Sequence, residues 1–264
     1  MDNSILWLVI YCLVACCGIM IFVWLWANKI KNAGVVDIFW SYNFPVIAII
    51  LLLLAPGWET RKMLICCMVI VAGARLGSYI LIRTVSHLHE EEGRYQQLRK
   101  EWVPDPDRKF FWFFQMQAVS NVLLAIPFFV ICLNTSPKIS PFEWAGLVLW
   151  GISVSGERFA DNQLKNFKKN PANKGKVCSE GLWNYSRHPN YFFQWMMWMS
   201  YFVFALGSSY GYLAIISPAI ILYLLLKVTG IPMTEEQSIR TKGDAFREYQ
   251  KTTSAFVPWF KKRG

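Results

Sequence analysis

Residues 185–206 read YSRHPNYFFQWMMWMSYFVFAL, a polar turn followed at once by an apolar stretch without a formal charge. An uncharged run of this kind is typical of a membrane-embedded helix. Arg187, His188 and Asn190 lie directly before it, where polar groups are costly to place without partners or a ligand. Pro189 suits the first position of a helix, so His188 is predicted to be the N-cap residue. The free backbone amides of that helix start favour an anion such as phosphate. We call residues 185–191 the rim motif.

The rest of the chain has the same apolar character. Of its 264 residues, 55% are hydrophobic, 16% are aromatic and 17% are charged, which excludes an ordinary soluble domain. We predict an all-α integral membrane protein, a single domain over residues 1–264 with seven transmembrane helices. The predicted spans are 5–27, 38–55, 63–83, 111–133, 142–160, 191–206 and 211–230. The sequence contains no glycine-rich dinucleotide fingerprint or P-loop, and its seven cysteines predict neither a disulfide nor a metal site.

The basic residues predict the orientation. With the N-terminus outside, 23 of the 27 lysines and arginines fall in inside segments and three fall outside, while Arg75 lies within the third span. The positive-inside rule therefore places the N-terminus outside and the C-terminus in the cytoplasm. Loops 84–110 and 161–190 and the tail 231–264 are expected to cap a cofactor cavity. In the tail, the spacing of apolar residues predicts an amphipathic helix broken near Gly243.

Three further groups of polar side chains occur near the predicted inner boundary. They are Arg75, Tyr79 and Arg83 in the third span; Glu157, Asp161, Lys165 and Lys168 at the end of the fifth; and Asp37, Trp40, Tyr42 and Asn43 at the start of the second. Each group also has a plain structural explanation, as an ion pair, a solvated helix face or a helix cap. In the fifth span, acceptors precede cations along one face. That order suits a ligand with an amide or hydroxyl group at one end and phosphates at the other.

These residues give the chain a resemblance to the membrane-embedded steroid 5α-reductase family, in particular its bacterial branch. The matching segments are Val36-Asp37-Ile38-Phe39-Trp40, Gly93-Arg94-Tyr95, Ala160-Asp161-Asn162-Gln163-Leu164, Gly181-Leu182-Trp183 with the rim motif, and Tyr249-Gln250 with 253–259. Within the rim motif, Arg187-His188-Pro189-x-Tyr191 is less specific. It also occurs in sterol reductases and in isoprenylcysteine carboxyl methyltransferases, which carry a Glu-Glu pair like Glu235-Glu236.

The resemblance implies that the cytoplasmic half binds NADPH and that a steroid or another enone lipid enters from the bilayer. The activity it implies is hydride transfer to the β-carbon of the enone, which reduces the Δ4 double bond of a 3-oxo-steroid. The implied cofactor contacts are Arg83, Arg94, Tyr95, Asp161, Lys165, Lys168, Tyr185, Arg187, His188, Asn190, Glu235, Arg240 and Tyr249.

The candidate substrate contacts are Trp40, Asn43, Gln117 and Gln194. Eukaryotic members carry a Gln-Glu pair in the second span. Here Asp37 is the nearest early carboxylate, and we expect it to polarise the ketone together with Tyr42 or Tyr79.

Two other functions stay open. One is a SAM-dependent methyltransferase that shares the rim motif; the other is a lipid-binding or scaffold protein on an inactive version of the fold. The segment Asp161-Asn162-Gln163-Leu164 favours the reductase. We expect a monomer in the bacterial inner membrane, or in the endoplasmic reticulum membrane of a eukaryote. Its expected partners are the enone lipid and membrane lipid, and no nucleic acid.

Overall fold

The computed structural model describes residues 3–85, 88 and 90–261, and the regular elements in these ranges are helices. They are α1 (Asn3–Ile30), α2 (Val35–Leu54), α3 (Glu59–Val85), α4 (Gly93–Glu101), α5 (Pro106–Leu124), α6 (Ile126–Cys132), α7 (Pro141–Lys169), α8 (Pro189–Ala205), α9 (Ile216–Tyr223), α10 (Ile231–Lys242) and α11 (Asp244–Thr252). A π-helical turn at Leu224–Val228 follows α9. The prediction of an all-α protein is confirmed.

Four helical stretches are long and apolar enough to cross a membrane: α1 from Ile5, α2, α3 and Gly211–Lys242. Helices α5 and α6, bent by 42° at the break between them, form a fifth candidate. The seven predicted spans all lie in helical segments, but α8 has only 17 residues, short of the roughly 20 that a full crossing needs. An integral membrane protein with four or five candidate spans is therefore confirmed. The two crossings predicted at 142–160 and 191–206 and the outside N-terminus stay predictions.

The chain forms two compact units. Unit 1 comprises Met1–Ile139 and Ser208–Leu213. Within it, α2 packs along α3, and α1 packs against α2 and α5. A Cβ on Gly73 would lie 2.5 Å from Pro45, and a Cβ on Gly77, one turn later, would lie 2.9 Å from the Tyr42 ring. These glycines let α2 and α3 approach closely, as small residues do between membrane helices.

Unit 2 comprises Ser140–Gly207 and Ala214–Gly264. Its main contact is between α7 and α8. Helix α7 begins with a capping box in which the N–H of Ser140 donates to Glu143 Oε2 at 2.6 Å and Ser140 Oγ accepts from the N–H of Glu143. The predicted break in the tail is confirmed: Gly243, with φ +55°, separates α10 from α11.

Candidate functional site

The rim motif has the predicted local structure. Helix α8 begins at Pro189, and His188 is its N-cap residue. The Ser186 hydroxyl accepts from the backbone N–H of His188 at 3.1 Å, and this contact fixes the turn. Residues 186 and 254 form a parallel backbone bridge, so the tail of the chain lies directly beside the rim motif.

Glu235 on α10 is the centre of a charged cluster at this place. Arg187 Nε donates to Glu235 Oε1 at 2.6 Å, and His188 Nε2 lies 3.2 Å from the same oxygen. Gln250 Nε2 donates to Glu235 Oε2 at 2.6 Å. The side chains of Arg187 and Glu235 are only 10% and 13% exposed, so this is a largely desolvated ion pair. We call Arg187, His188, Glu235 and Gln250 the clasp.

Backbone carbonyl groups of the tail accept further hydrogen bonds from Arg187 and its neighbour Ser186. Arg187 Nη1 donates to the carbonyl oxygens of Gln250 and Thr253 at 3.0 and 2.5 Å. The Arg187 N–H donates to the carbonyl of Ser254 at 2.8 Å, and Ser186 Oγ donates to that of Phe256 at the same distance. Arg187 is therefore a structural anchor between α8 and the tail, whatever ligand it also contacts.

Tyr249 adds a second contact between the tail and the rim motif. Its phenol donates to the carbonyl of Trp183 and lies 3.2 Å from the carbonyl of Ser186. Burial raises the pKa of Tyr249 above its ordinary value. The phenol therefore stays protonated and remains a donor to these carbonyls over the whole physiological range.

A second pair lies in the first turn of α8. Asn190 Nδ2 donates to Asp161 Oδ1 on α7 at 3.1 Å, and both residues are half-buried. Next to them, the Tyr191 ring stacks on His188 with centroids 5.3 Å apart, and the Tyr191 hydroxyl lies 3.1 Å from Thr234 Oγ1. The structure thus brings together six of the predicted cofactor residues of unit 2. They are Asp161, Arg187, His188, Asn190, Glu235 and Tyr249.

The other predicted cofactor residues of unit 2 lie at the surface. Along the predicted face of α7, Glu157 is buried, Asp161 is half-buried, and Lys165 and Lys168 are exposed. Arg240 is exposed and pairs with Glu236 at 2.5 Å. Tyr185 is also exposed, and its ring contacts Phe260 edge to face. Gln194, predicted to contact substrate, is half-buried on α8.

In unit 1, Asp37 pairs with a tyrosine other than the two that the sequence suggested. The Tyr95 hydroxyl donates to Asp37 Oδ1 at 2.9 Å, and Tyr95 is fully buried. Burial raises the pKa of Tyr95 well above its ordinary value, and the nearby Asp37 carboxylate adds to the effect. Tyr42 lies 3.0 Å from Ser78 Oγ, and Tyr79 is 52% exposed.

A polar network fixes the Tyr95 segment to the turn before α2. Glu91 Oε1 accepts from the N–H of Ala33 at 2.8 Å and from Arg99 Nη2 at 2.9 Å. Burial alone would raise the pKa of Glu91, but the hydrogen bonds from Arg99 and Ala33 outweigh burial and lower it. The Arg94 guanidinium lies over the Tyr95 ring at 5.3 Å. Arg83 pairs with Glu92 at 2.8 Å, about half exposed.

The predicted substrate residues of unit 1 form an amide network between α2 and α5. Asn43 Nδ2 donates to Asn121 Oδ1, and Asn121 Nδ2 donates to the carbonyl of Trp40, both at 2.9 Å. Trp40 Nε1 donates to Ser120 Oγ at 3.0 Å. Gln117 accepts from Ser120 through its backbone carbonyl.

Sequence reasoning missed several members of these clusters. Thr234, Glu91, Arg99 and Asn121 were not singled out, and Gln250 and Thr253 were named only as parts of a matching segment, without a role. Asn121 could have been found, because it is an amide inside an otherwise apolar stretch. The others are polar residues in polar segments, and nothing in their local sequence distinguishes them from solvated side chains.

These features define a helical protein with four or five candidate membrane spans and a largely buried ion-pair cluster at the start of α8. The chain belongs to a family described as "Protein of unknown function (DUF1295)", whose model matches residues 23–253. A shorter similarity links it to a protein of Ustilaginoidea virens named "Probable O-methyltransferase ustE". The two are 38% identical over 52 residues, which is 20% of this chain and 18% of that protein. No solved structure matches the chain significantly.

Proposed function

We propose that the protein is an NADPH-dependent reductase that reduces the conjugated double bond of an enone lipid, such as a Δ4-3-oxo-steroid. The observation that carries this proposal is the Asp161–Asn190 hydrogen bond at 3.1 Å, in the segments that resemble the reductases. An adjacent carboxylate and amide offer both an acceptor and a donor. This pair suits the carboxamide of a nicotinamide ring, which also has one of each.

NADPH, when bound, supplies the hydride, and the protein's part is to orient the reactants and exclude water. In unit 2, Asp161 and Asn190 would hold the nicotinamide end. The exposed Lys165 and Lys168, about one and two turns further along α7, carry positive charge suited to phosphates. The clasp keeps the start of α8 in place for this task.

The ketone oxygen gains negative charge as the β-carbon accepts hydride, so a hydrogen-bond donor near that oxygen lowers the barrier. Asp37 with Tyr42 or Tyr79 was predicted for this role. The Tyr95–Asp37 hydrogen bond supports Tyr95 as a positioning residue that orients the Asp37 carboxyl. The fully buried phenol would act through Asp37 and would not contact the substrate itself.

The proposal is tested first by binding. The purified protein in detergent is titrated with NADPH, NADH and SAM while its thermal stability is followed. A ligand that binds only the folded state stabilises it by about 2.7 kcal/mol at 100 times its Kd. Stabilisation by NADPH is expected. Stabilisation by SAM alone would contradict the reductase, and no stabilisation by any of the three would favour a lipid-binding protein.

Turnover is tested next with a 3-oxo-Δ4 steroid, by loss of NADPH absorbance. Asp161→Ala and Asn190→Ala are expected to abolish turnover, because each removes half of the proposed carboxamide site. Asn166→Ala changes an exposed amide on α7, the helix of Asp161, and this variant is expected to keep full turnover. Full activity in either site variant would reject this placement of the nicotinamide.

A second candidate function is SAM-dependent methyl transfer. It is favoured by the 52-residue similarity to a protein named as an O-methyltransferase and by the presence of Glu235-Glu236 in the tail. The same titration distinguishes it, because a methyltransferase would be stabilised by SAM and not by NADPH.

A further inference from the structure

Unit 1 contains an open surface cavity of about 430 Å³ that belongs to none of the clusters described above. It is lined by Trp24, Arg108, Phe111 and Trp112. Trp24 lies near the end of α1, and the other three lie in the first two turns of α5. The cavity therefore opens between the last turns of one candidate span and the first turns of another.

The aromatic wall of this cavity is held in a defined geometry. Trp24 Nε1 donates to the backbone carbonyl of Asp107 at 3.0 Å. The Trp24 and Phe111 rings meet edge to face with centroids 5.2 Å apart, and Phe111 and Trp112 meet in the same way at 5.3 Å. Because the indole N–H of Trp24 is already engaged, that ring offers the cavity an apolar surface.

The cavity is also lined by one cation, the exposed side chain of Arg108. Among the residues that the structure describes, the Arg108 guanidinium has no hydrogen-bond or ion-pair partner. The acidic neighbour Asp107 pairs with Arg99 at 3.3 Å, so its charge is offset elsewhere. An apolar wall with a single available guanidinium is complementary to an amphiphile with one anionic group.

We propose that this cavity binds the headgroup of an anionic phospholipid. The phosphodiester would contact Arg108, while the glycerol and the first acyl carbons would pack against Trp24, Phe111 and Trp112. Tryptophans at the ends of spans lie at the level of lipid headgroups, which is where this cavity lies along α1. The proposal does not depend on the activity of the protein.

Two other occupants fit less well. Inorganic phosphate would satisfy Arg108 but would leave the three aromatic rings without a partner. A neutral glycolipid would cover the rings but offers no charge to the guanidinium. The phospholipid is the occupant that uses both features, so the three ligands can be compared directly.

The test measures lipid binding by native mass spectrometry on protein purified in a neutral detergent and stripped of lipid. Dioleoylphosphatidylglycerol, monogalactosyl dioleoylglycerol and inorganic phosphate are added separately. The variants are Arg108→Gln and, as a matched control, Lys109→Gln. Lys109 is an exposed cation at the next position and does not line the cavity.

We expect phosphatidylglycerol to bind the wild type and Lys109→Gln equally, and Arg108→Gln about tenfold more weakly. Trp112→Leu, which leaves the charge in place, is expected to weaken binding as well. Equal affinity in Arg108→Gln and Lys109→Gln would overturn the proposal. So would binding of the galactolipid or of inorganic phosphate as tight as that of phosphatidylglycerol. Thermal stability without lipid shows that each variant is folded.

Discussion

Replacing Glu235 by glutamine is the sharpest test of the clasp. The substitution keeps the size of the side chain but removes the charge that balances Arg187, whose side chain is only 10% exposed. It also turns an amide towards Gln250, which donates to Glu235 Oε2 in the wild type. The rim motif and the tail should then separate more often, with no change elsewhere in the fold.

The size of the effect follows from burial. Removing one partner of a buried ion pair costs about 3–5 kcal/mol, because the other charge is left uncompensated. Arg187 keeps its contacts with the carbonyls of Gln250 and Thr253, which places the cost near the lower end, at about 3 kcal/mol. At about 1.4 kcal/mol per factor of ten, the opening equilibrium of the tail should increase by roughly 150-fold.

Hydrogen–deuterium exchange measures this local opening directly. Amides of α11 should exchange roughly two orders of magnitude faster in Glu235→Gln. Glu236→Gln is the matched control, because Glu236 is exposed and its surface pair with Arg240 is worth at most about 1 kcal/mol. If exchange in α11 is the same in both variants, the ion pair does not hold the tail and the reasoning is wrong.

Three further outcomes are expected. Tyr95→Phe removes the buried hydrogen bond to Asp37 and should lower the free energy of unfolding by about 1.5–3 kcal/mol. Thermal or denaturant unfolding in detergent measures this change. A loss below about 0.5 kcal/mol would contradict a structural role for the bond. The pKa of Glu91 is lowered in the folded state, so its contribution to stability is present above its unfolded pKa and is lost as the pH falls through the folded value. Glu91→Gln should therefore flatten the loss of stability below about pH 4.3, and an unchanged pH profile of the melting temperature would count against this. Gly146→Ala on α7 should destabilise the protein, because the new Cβ would lie 2.7 Å from a backbone nitrogen of α8. Gly151→Ala on the same helix is the control, since its Cβ would meet nothing within 4 Å. Equal melting temperatures of the two variants would refute the close approach of α7 and α8.

Features set by local chemistry could be predicted from the sequence. Proline fixes the start of α8 at Pro189, because its φ angle suits the first helical turn and it has no N–H to leave unpaired. Gly243 interrupts the tail helix because it adopts a positive φ. The break between α5 and α6 was missed, since 111–133 was predicted as one span. The proline at position 127 was visible there and is a common cause of such a bend.

Features set by packing between distant segments could not be predicted. Glu235 and Glu236 are neighbours in a polar segment, and only the fold decides that Glu235 faces the clasp and Glu236 the solvent. Asp37 was expected to act with Tyr42 or Tyr79, whereas the tyrosine that donates to it is 58 positions away on α4. A shift of the helix by one residue, or a different loop conformation, would change which side chains meet. Neither can be predicted from the local sequence.

The clasp joins residues that are far apart in the sequence, and this suggests where the chain could be cut into two fragments. Arg187 of the clasp donates to the carbonyl of Thr253, 66 positions further along the chain, so α8, α9, α10 and α11 lie inside one closed loop. A cut within this loop would leave these contacts available but would make closing them an association of two fragments. A chain severed between α8 and α9 should therefore yield two fragments that recognise each other. The first would carry Arg187 and the second Glu235, which offers a route to reassembling the protein from two separately expressed pieces.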